Sequence, residues 1–310
     1  MTIERIFEQR PARTYVVLDI ESAVTDESGH KRYQAMERWA PTSDDQSVRR
    51  GYKRGEDPLR TPRWPFQTLV TASVMVLVEH PDGNIDVSRF VTLSQPDHDE
   101  GQVIEGVLQV LAEAPAGAEL VSWAGMLHDV PLLALGAMRH GLTLPKGWRW
   151  LGFGGNDPVR HLDFARVMTG GFKMKPVHMA EVLASLAIPA KISIPAFAVA
   201  RMIYAGEWNS VQEACEGDVV STALLLAHWR KLHDPSADID AVEDRILRRV
   251  IELRVGRGYV VELEARRAAR FRQKFLTAAN DAAVLAPSLG KGQGSTRWGG
   301  GAITARSNIA

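Results

Sequence analysis

The chain has 310 residues, 37 Lys and Arg against 37 Asp and Glu, a formal net charge of zero, and 45% hydrophobic residues, enough to bury the core of one large domain or two smaller ones. The longest apolar stretch, residues 68–78, falls far short of the roughly 20 residues of a spanning helix, residues 1–14 carry no apolar leader core, and one cysteine, Cys215, excludes an internal disulfide framework and a cysteine-based zinc cluster. A cytoplasmic setting without membrane contact is the expectation, and a neutral total means that affinity for a polyanion must come from local basic patches.

Residues 15–20 (YVVLDI) form a β-branched run suited to a buried strand. Residues 22–65 are polar and read as a long insertion or loop, a length that is uncommon without structure unless it is functional or disordered. Residues 68–79 and 85–93 flank His80-Pro81-Asp82-Gly83-Asn84, a hairpin signal. Val103, Val107, Leu108 and Leu111 recur at helical spacing through 97–114, and Pro115 stops them. Residues 119–123 (ELVSW) predict a strand, and 129–140 a helix entered through Asp129 with Pro131 in its first turn. A strand end at 161–164 precedes Gly170-Gly171, short helices over 177–186 and 194–204, and a long helix over 210–232. This order predicts an α/β domain with a mixed sheet. Past Asp234-Pro235, Ile239, Val242, Ile246, Val250 and Leu253 mark an amphipathic helix, Gly256-Arg257-Gly258 a turn, and 260–283 a second helix. The expected organisation is a leading segment 1–13, an α/β domain 14–234, a C-terminal helical hairpin 235–284 and a disordered tail 285–310.

Four carboxylates are the chemical candidates. Asp19 and Glu21 stand two apart at the end of the first strand and so share a face. Paired hard oxygen ligands suit Mg²⁺ or Mn²⁺. Alone the pair says little, because acid-x-acid arises by chance about four times at this acid content, usually on a solvated edge. Asp129 opens a helix directly after a strand, where an Asp commonly serves as a cap. Asp218 sits within the long apolar helix beside Cys215, Val219 and Thr222, where an unpaired ionised carboxylate would be costly.

Taken in order, these segments resemble the DEDD superfamily of 3′–5′ exonucleases, in particular the predicted exonucleases related to the proofreading domain of family B DNA polymerases. The resemblance is carried by Val16-Val17-Leu18-Asp19-Ile20-Glu21, by the stretch from Val121 through Ala124-Gly125-Met126-Leu127-His128-Asp129 to Leu133, by His161-Leu162-Asp163-Phe164 with the later LAIPAK, and by Ala214-Cys215-Glu216-Gly217-Asp218 to Thr222. It spans roughly 14–232. It implies a ribonuclease H-like fold, a mixed five-stranded sheet with flanking helices, and two Mg²⁺ or Mn²⁺ ions as the cofactors of phosphodiester hydrolysis. Asp19 would bridge both ions, Glu21 and Asp218 would complete one site, and Asp129 would serve the other. The implied substrate is the 3′ end of single-stranded nucleic acid, DNA favoured over RNA.

Two departures stand out. The family places a Tyr four residues before the last Asp, or a His five before it, to handle the attacking water; here those positions are Ala214 and Glu213. Ala124 stands where the family has Asn and His128 where it has Phe. Either the metals alone activate water, with His128 as a substitute base, or the domain is a catalytically impaired nucleic-acid-binding module of replication or repair. Arg49, Arg50, Lys53, Arg54 and Trp64 are candidates for substrate contact, or else part of a mobile polar loop. From Asp244 onward thirteen basic residues oppose five acids, so the Arg-rich C-terminal helix is expected to extend a nucleic-acid track or to dock a replication or repair partner.

Overall fold

The computed structural model describes residues 12–24, 26–38, 58–59, 61–157, 159–188 and 196–285. The predicted substrate residues Arg49, Arg50, Lys53 and Arg54, and the predicted tail from 286 on, lie outside them.

Strand β1 (Arg13–Val24) is followed by helix α1 (Glu27–Arg38), a 3₁₀ turn (Trp64–Phe66), β2 (Gln67–Glu79) and β3 (Ile85–Ser94). Then come α2 (Glu100–Glu113), β4 (Glu119–Ser122), α3 (Asp129–Arg139), β5 (His161–Asp163), α4 (Phe164–Met168), α5 (Met179–Ser185), α6 (Ala196–Ala205), α7 (Trp208–His233), α8 (Ile239–Leu253) and α9 (Val260–Leu285). The sheet is five-stranded, in the order β3-β2-β1-β4-β5. β1 pairs antiparallel with β2 and parallel with β4, and β5 is parallel to β4. This is the mixed, ribonuclease H-like α/β arrangement that the sequence predicts.

Alternation along β1 feeds both faces of the sheet. Val16, Leu18 and Ile20 are buried with Val103, Val107 and Leu111 of α2 and Leu132 and Leu133 of α3. Tyr15 and Val17 are buried on the other side with Val219, Val220 and Leu224 of α7 and Ile246 and Val250 of α8. The hairpin between β2 and β3 closes at Gly83, whose φ of +82° is open to glycine at no steric penalty. Asp99 caps α2 by accepting from the backbone of Gln102 at 2.9 Å.

Residues 22–65 are not all loop: β1 runs on to Val24, and Glu27–Arg38 is a helix. The sequence of α1 (ESGHKRYQAMER) has no apolar stripe to announce it. It is held instead by an aromatic cluster, with His30 and Tyr33 at 5.1 and 5.7 Å from the Phe66 ring, and by His30 Nε2 donating to Pro58 O at 2.8 Å.

The chain divides into two compact units, Met1–Ala265 and Arg266–Ala310. Within the first, α8 belongs to the sheet's own core, and a buried carboxylate ties the following turn to α7. Glu216, fully buried, accepts from Tyr259 Oη (2.8 Å), Thr92 Oγ1 (2.7 Å) and Arg257 Nη2 (3.0 Å) and lies 3.3 Å from Arg254 Nε. Among the described residues no helix is long and apolar enough to cross a membrane.

Candidate active site

β4 stops at Ser122, one residue past its pairing with Val17, while β1 runs on through Asp19 and Glu21 to Val24, and α7 packs against both strands. On β1, Asp19 and Glu21 share the α7-facing side with Tyr15 and Val17. On α7, Asp218 faces them: carboxylate oxygens of Asp19, Glu21 and Asp218 lie within 4.8 Å of one another, and all three residues are partly exposed. Cys215, one helical turn before Asp218, donates its thiol to the backbone carbonyl of Asp19 at 3.3 Å and so fixes α7 against β1.

Asp129 is the fourth acid. The cap position of α3 is taken by His128, and Asp129 is the first helical residue, buried at 6% exposure. Its pKa is pushed up to about 8 by burial, then by the charges of Asp163 and Asp218. Burial also raises the pKa of Asp19 well above the carboxylate range, reinforced by Asp218, Glu21 and Asp129 in that order. Asp19 therefore feels the charge of the other three predicted acids, and Asp129 that of Asp218. Mutually repelling carboxylates with hard oxygens are a donor set that fits divalent cations such as Mg²⁺ or Mn²⁺.

The loop that delivers Asp129 is shaped by a residue to which the sequence assigned no role. Asp163, 1% exposed at the end of β5, accepts from the backbone N–H of Ala124 (2.9 Å), Met126 (3.0 Å) and Arg166 (3.2 Å). The available signal was an Asp preceding a short helix, since it also caps α4. Ala124 adopts a left-handed φ of +58°, a conformation for which Asn is far better suited. At Gly125 an added Cβ would sit 2.5 Å from Ser122 Oγ and 3.4 Å from Asp129 Oδ2, so the loop passes close over both. Ser122 in turn bonds His161 Nε2 (2.8 Å); His161 Nδ1 donates to Gly155 O (3.0 Å), so Nε2 accepts the Ser122 hydroxyl.

His128 is half-buried, which lowers its pKa and favours the neutral ring. Ser22 donates its hydroxyl to Gln67 Oε1 at 3.0 Å and therefore accepts from His128 Nε2–H, also at 3.0 Å. Nδ1 is then the unprotonated nitrogen. Ser22 projects on the face of β1 opposite Asp19 and Glu21, as alternation requires. Trp64 is 40% exposed in the turn that leads into β2, held by Arg139 donating to Pro65 O (3.3 Å) and Gln67 O (3.1 Å). Gln67 pairs with Val24, so this turn lies at the end of the sheet that carries the acids.

The two positions that depart from the family's water-handling pattern are both occupied structurally. Ala214 is 4% exposed in an apolar cluster with Ala23, Val199, Ile203 and Val211. The Glu213 carboxylate accepts from Gly258 N at 2.7 Å, and five residues of helix turn it about 140° away from Asp218. A cavity of about 580 Å³ at the opposite end of β1, lined by Arg13, Tyr15, Glu79, Trp229 and Arg230 among others, contains none of the predicted residues.

Similarity to solved structures is remote. A family B DNA polymerase from Pyrobaculum calidifontis is 16% identical, with 83% of this chain and 29% of that chain covered and a TM-score of 0.43. Exonuclease I from E. coli, solved with a dT13 oligonucleotide, is 9% identical, with 72% and 42% covered and a TM-score of 0.37. The chain thus spans less than half of either protein. No curated protein matches. Residues 62–247, which include Asp129 and Asp218 and begin after β1, match the family model of predicted 3′–5′ exonucleases related to the exonuclease domain of PolB. That match covers more than half of the sequence, and the chain belongs to this family of PolB-related predicted 3′–5′ exonucleases.

Proposed function

We propose that the protein is a divalent-metal-dependent 3′–5′ exonuclease that hydrolyses the terminal phosphodiester of single-stranded nucleic acid, DNA in preference to RNA, by a two-metal mechanism. The observation that carries this reading is the convergence of Asp19, Glu21 and Asp218 oxygens within 4.8 Å, from residues distant in the chain. Asp19, Glu21, Asp218 and Asp129 would hold the ions, with Asp19 serving both sites, Glu21 and Asp218 one and Asp129 the other. Two Mg²⁺ or Mn²⁺ ions, when bound, supply the positive charge that activates water and stabilises the leaving 3′ oxygen. The protein's part is to hold the acids rigidly: Cys215 sets the depth of α7 on β1, and Asp163 sets the loop that presents Asp129.

Ala214 has no titratable group and Glu213 is committed to Gly258, so His128, whose Nε2 is held by Ser22, would be the substitute base for water activated by bound ions. Arg49, Arg50, Lys53, Arg54 and Trp64 are assigned to the strand leading into the site. The test is shortening of a 5′-labelled oligonucleotide from its 3′ end, dependent on Mg²⁺ or Mn²⁺ and lost in Asp19→Ala. Binding without shortening in both proteins would instead support the non-catalytic module, a reading favoured only by the apolar packing of Ala214. Unchanged pH dependence of cleavage in His128→Asn removes the histidine from the mechanism.

A further inference from the structure

The connection between α4 and α5 runs beside the acids. At its start, Arg166 Nη1 donates to Met126 Sδ at 3.7 Å, in the loop that presents Asp129, and Asp163 ties the two segments by accepting from Met126 N and Arg166 N. At its end, Met179 Sδ receives the Thr222 hydroxyl at 3.6 Å. Thr222 stands one turn beyond Asp218 on α7. Residues 169–178 therefore pass from the Asp129 side of the site to the Asp218 side, past the β5 edge of the sheet.

The course of this connection is fixed by hydrogen bonds. Thr169, 3% exposed, donates its hydroxyl to Ala165 O (2.6 Å) and accepts from Phe172 N (3.2 Å), while its carbonyl takes Lys173 N (3.1 Å) and Met174 N (3.0 Å). Phe172 holds a left-handed φ of +64°. For a bulky side chain that conformation is strained and persists only where its surroundings enforce it. The turn leaves Lys173, Met174 and Lys175 exposed.

The charge of the segment has one sign. From Phe164 to Ala180 the chain carries Arg166, Lys173 and Lys175 and no Asp or Glu. Neither Lys173 nor Lys175 has its side chain in an ion pair or hydrogen bond among the described residues. Clustered carboxylates repel a polyanion, so cations beside them are needed to draw one in. Solvated ammonium groups take phosphate as point charges and position a strand without reading its bases.

We propose that residues 169–178 form the wall along which the substrate strand enters the site, with Lys173 and Lys175 taking phosphates upstream of its 3′ end. This assignment rests on the nuclease reading for the identity of the strand.

Anisotropy of a fluorescent dT oligonucleotide of about 16 nucleotides, titrated with the full chain in EDTA at several salt concentrations, tests it. Lys173→Gln/Lys175→Gln removes two exposed charges and is expected to lower the slope of log affinity against log salt by about 1.4. Lys173→Arg/Lys175→Arg is expected to keep the wild-type slope. An unchanged slope in the Gln variant, or no binding by wild type, overturns the wall, as does variant-sensitive binding to phosphatidylserine vesicles alone. A loss per charge matched by Lys231→Gln, at the far end of α7 from Asp218, is a general effect of net charge and also overturns it. Shortening of the same strand with Mn²⁺ is scored separately. A lowered slope in the Gln variant, with no shortening by wild type, upholds the wall as a binding surface and removes the nuclease reading. Shortening with an unchanged slope does the reverse.

Discussion

At Asp129, burial and the charges of Asp163 and Asp218 act in one direction and lift the pKa to about 8, against about 3.9 in an unfolded chain. A carboxyl whose folded pKa is raised stabilises the fold below pH 4 and loses that contribution as pH climbs through 8. Metal-free protein should therefore lose stability between pH 4 and 8 from this group. In EDTA at pH 8, Asp129→Asn should melt above wild type by roughly 2 °C or more, while Mn²⁺ should raise the wild-type Tm and do less for the variant. A wild type that melts higher in EDTA at pH 8 than Asp129→Asn would contradict this. Ala124 gives an independent test. Its φ of +58° disfavours Ala more than Asn, so Ala124→Asn should gain about 0.5–1 kcal/mol, read as a higher urea midpoint with unchanged slope. Both residues stood out in the sequence, Asp129 by its place before an apolar helix and Ala124 by its departure from the family. The charge coupling and the left-handed backbone were invisible there, because each depends on a segment folded back from elsewhere in the chain.

α7 is the element on which the site is hung. Its 26 residues pack almost all round, and Glu216 faces away from the acids to receive Arg254, Arg257, Tyr259 and Thr92. Glu216→Ala would strand two arginines beside a buried tyrosine hydroxyl. A loss of about 3–5 kcal/mol in denaturant unfolding is expected, against far less for removing an exposed pair such as Arg249 with Glu252. The β4–α3 loop should respond differently. Asp163→Ala removes the acceptor for three backbone N–H groups, so Mn²⁺ affinity by calorimetry should fall even at temperatures where the far-UV spectrum is native. Helices with an apolar stripe, such as α2, α7 and α8, were legible from periodicity. α1 was not, because its helix is secured by rings from the turn before β2 rather than by its own pattern.

Across the main unit, β1, β2 and β4 are covered on both faces, whereas β3 forms an edge and exposes Asp86 and Ser88. Hydrogen exchange should be slowest at Val16–Leu18 and Leu120–Val121 and faster along β3; the reverse order would mean that the sheet is not the last part to open. The sequence alone determined the order of the strands along the chain, the hairpin, the four candidate acids and the basic C-terminal helix. Each of these is a matter of spacing, turn residues or charge among near neighbours in the chain. Tertiary structure alone decided that Asp19, Glu21 and Asp218 converge, that Ala214 and Glu213 are taken up by packing and a backbone hydrogen bond, and that Asp163 shapes the loop. Coulomb coupling and burial depend on distance in space, and that distance exists only once β1, α3 and α7 have packed together.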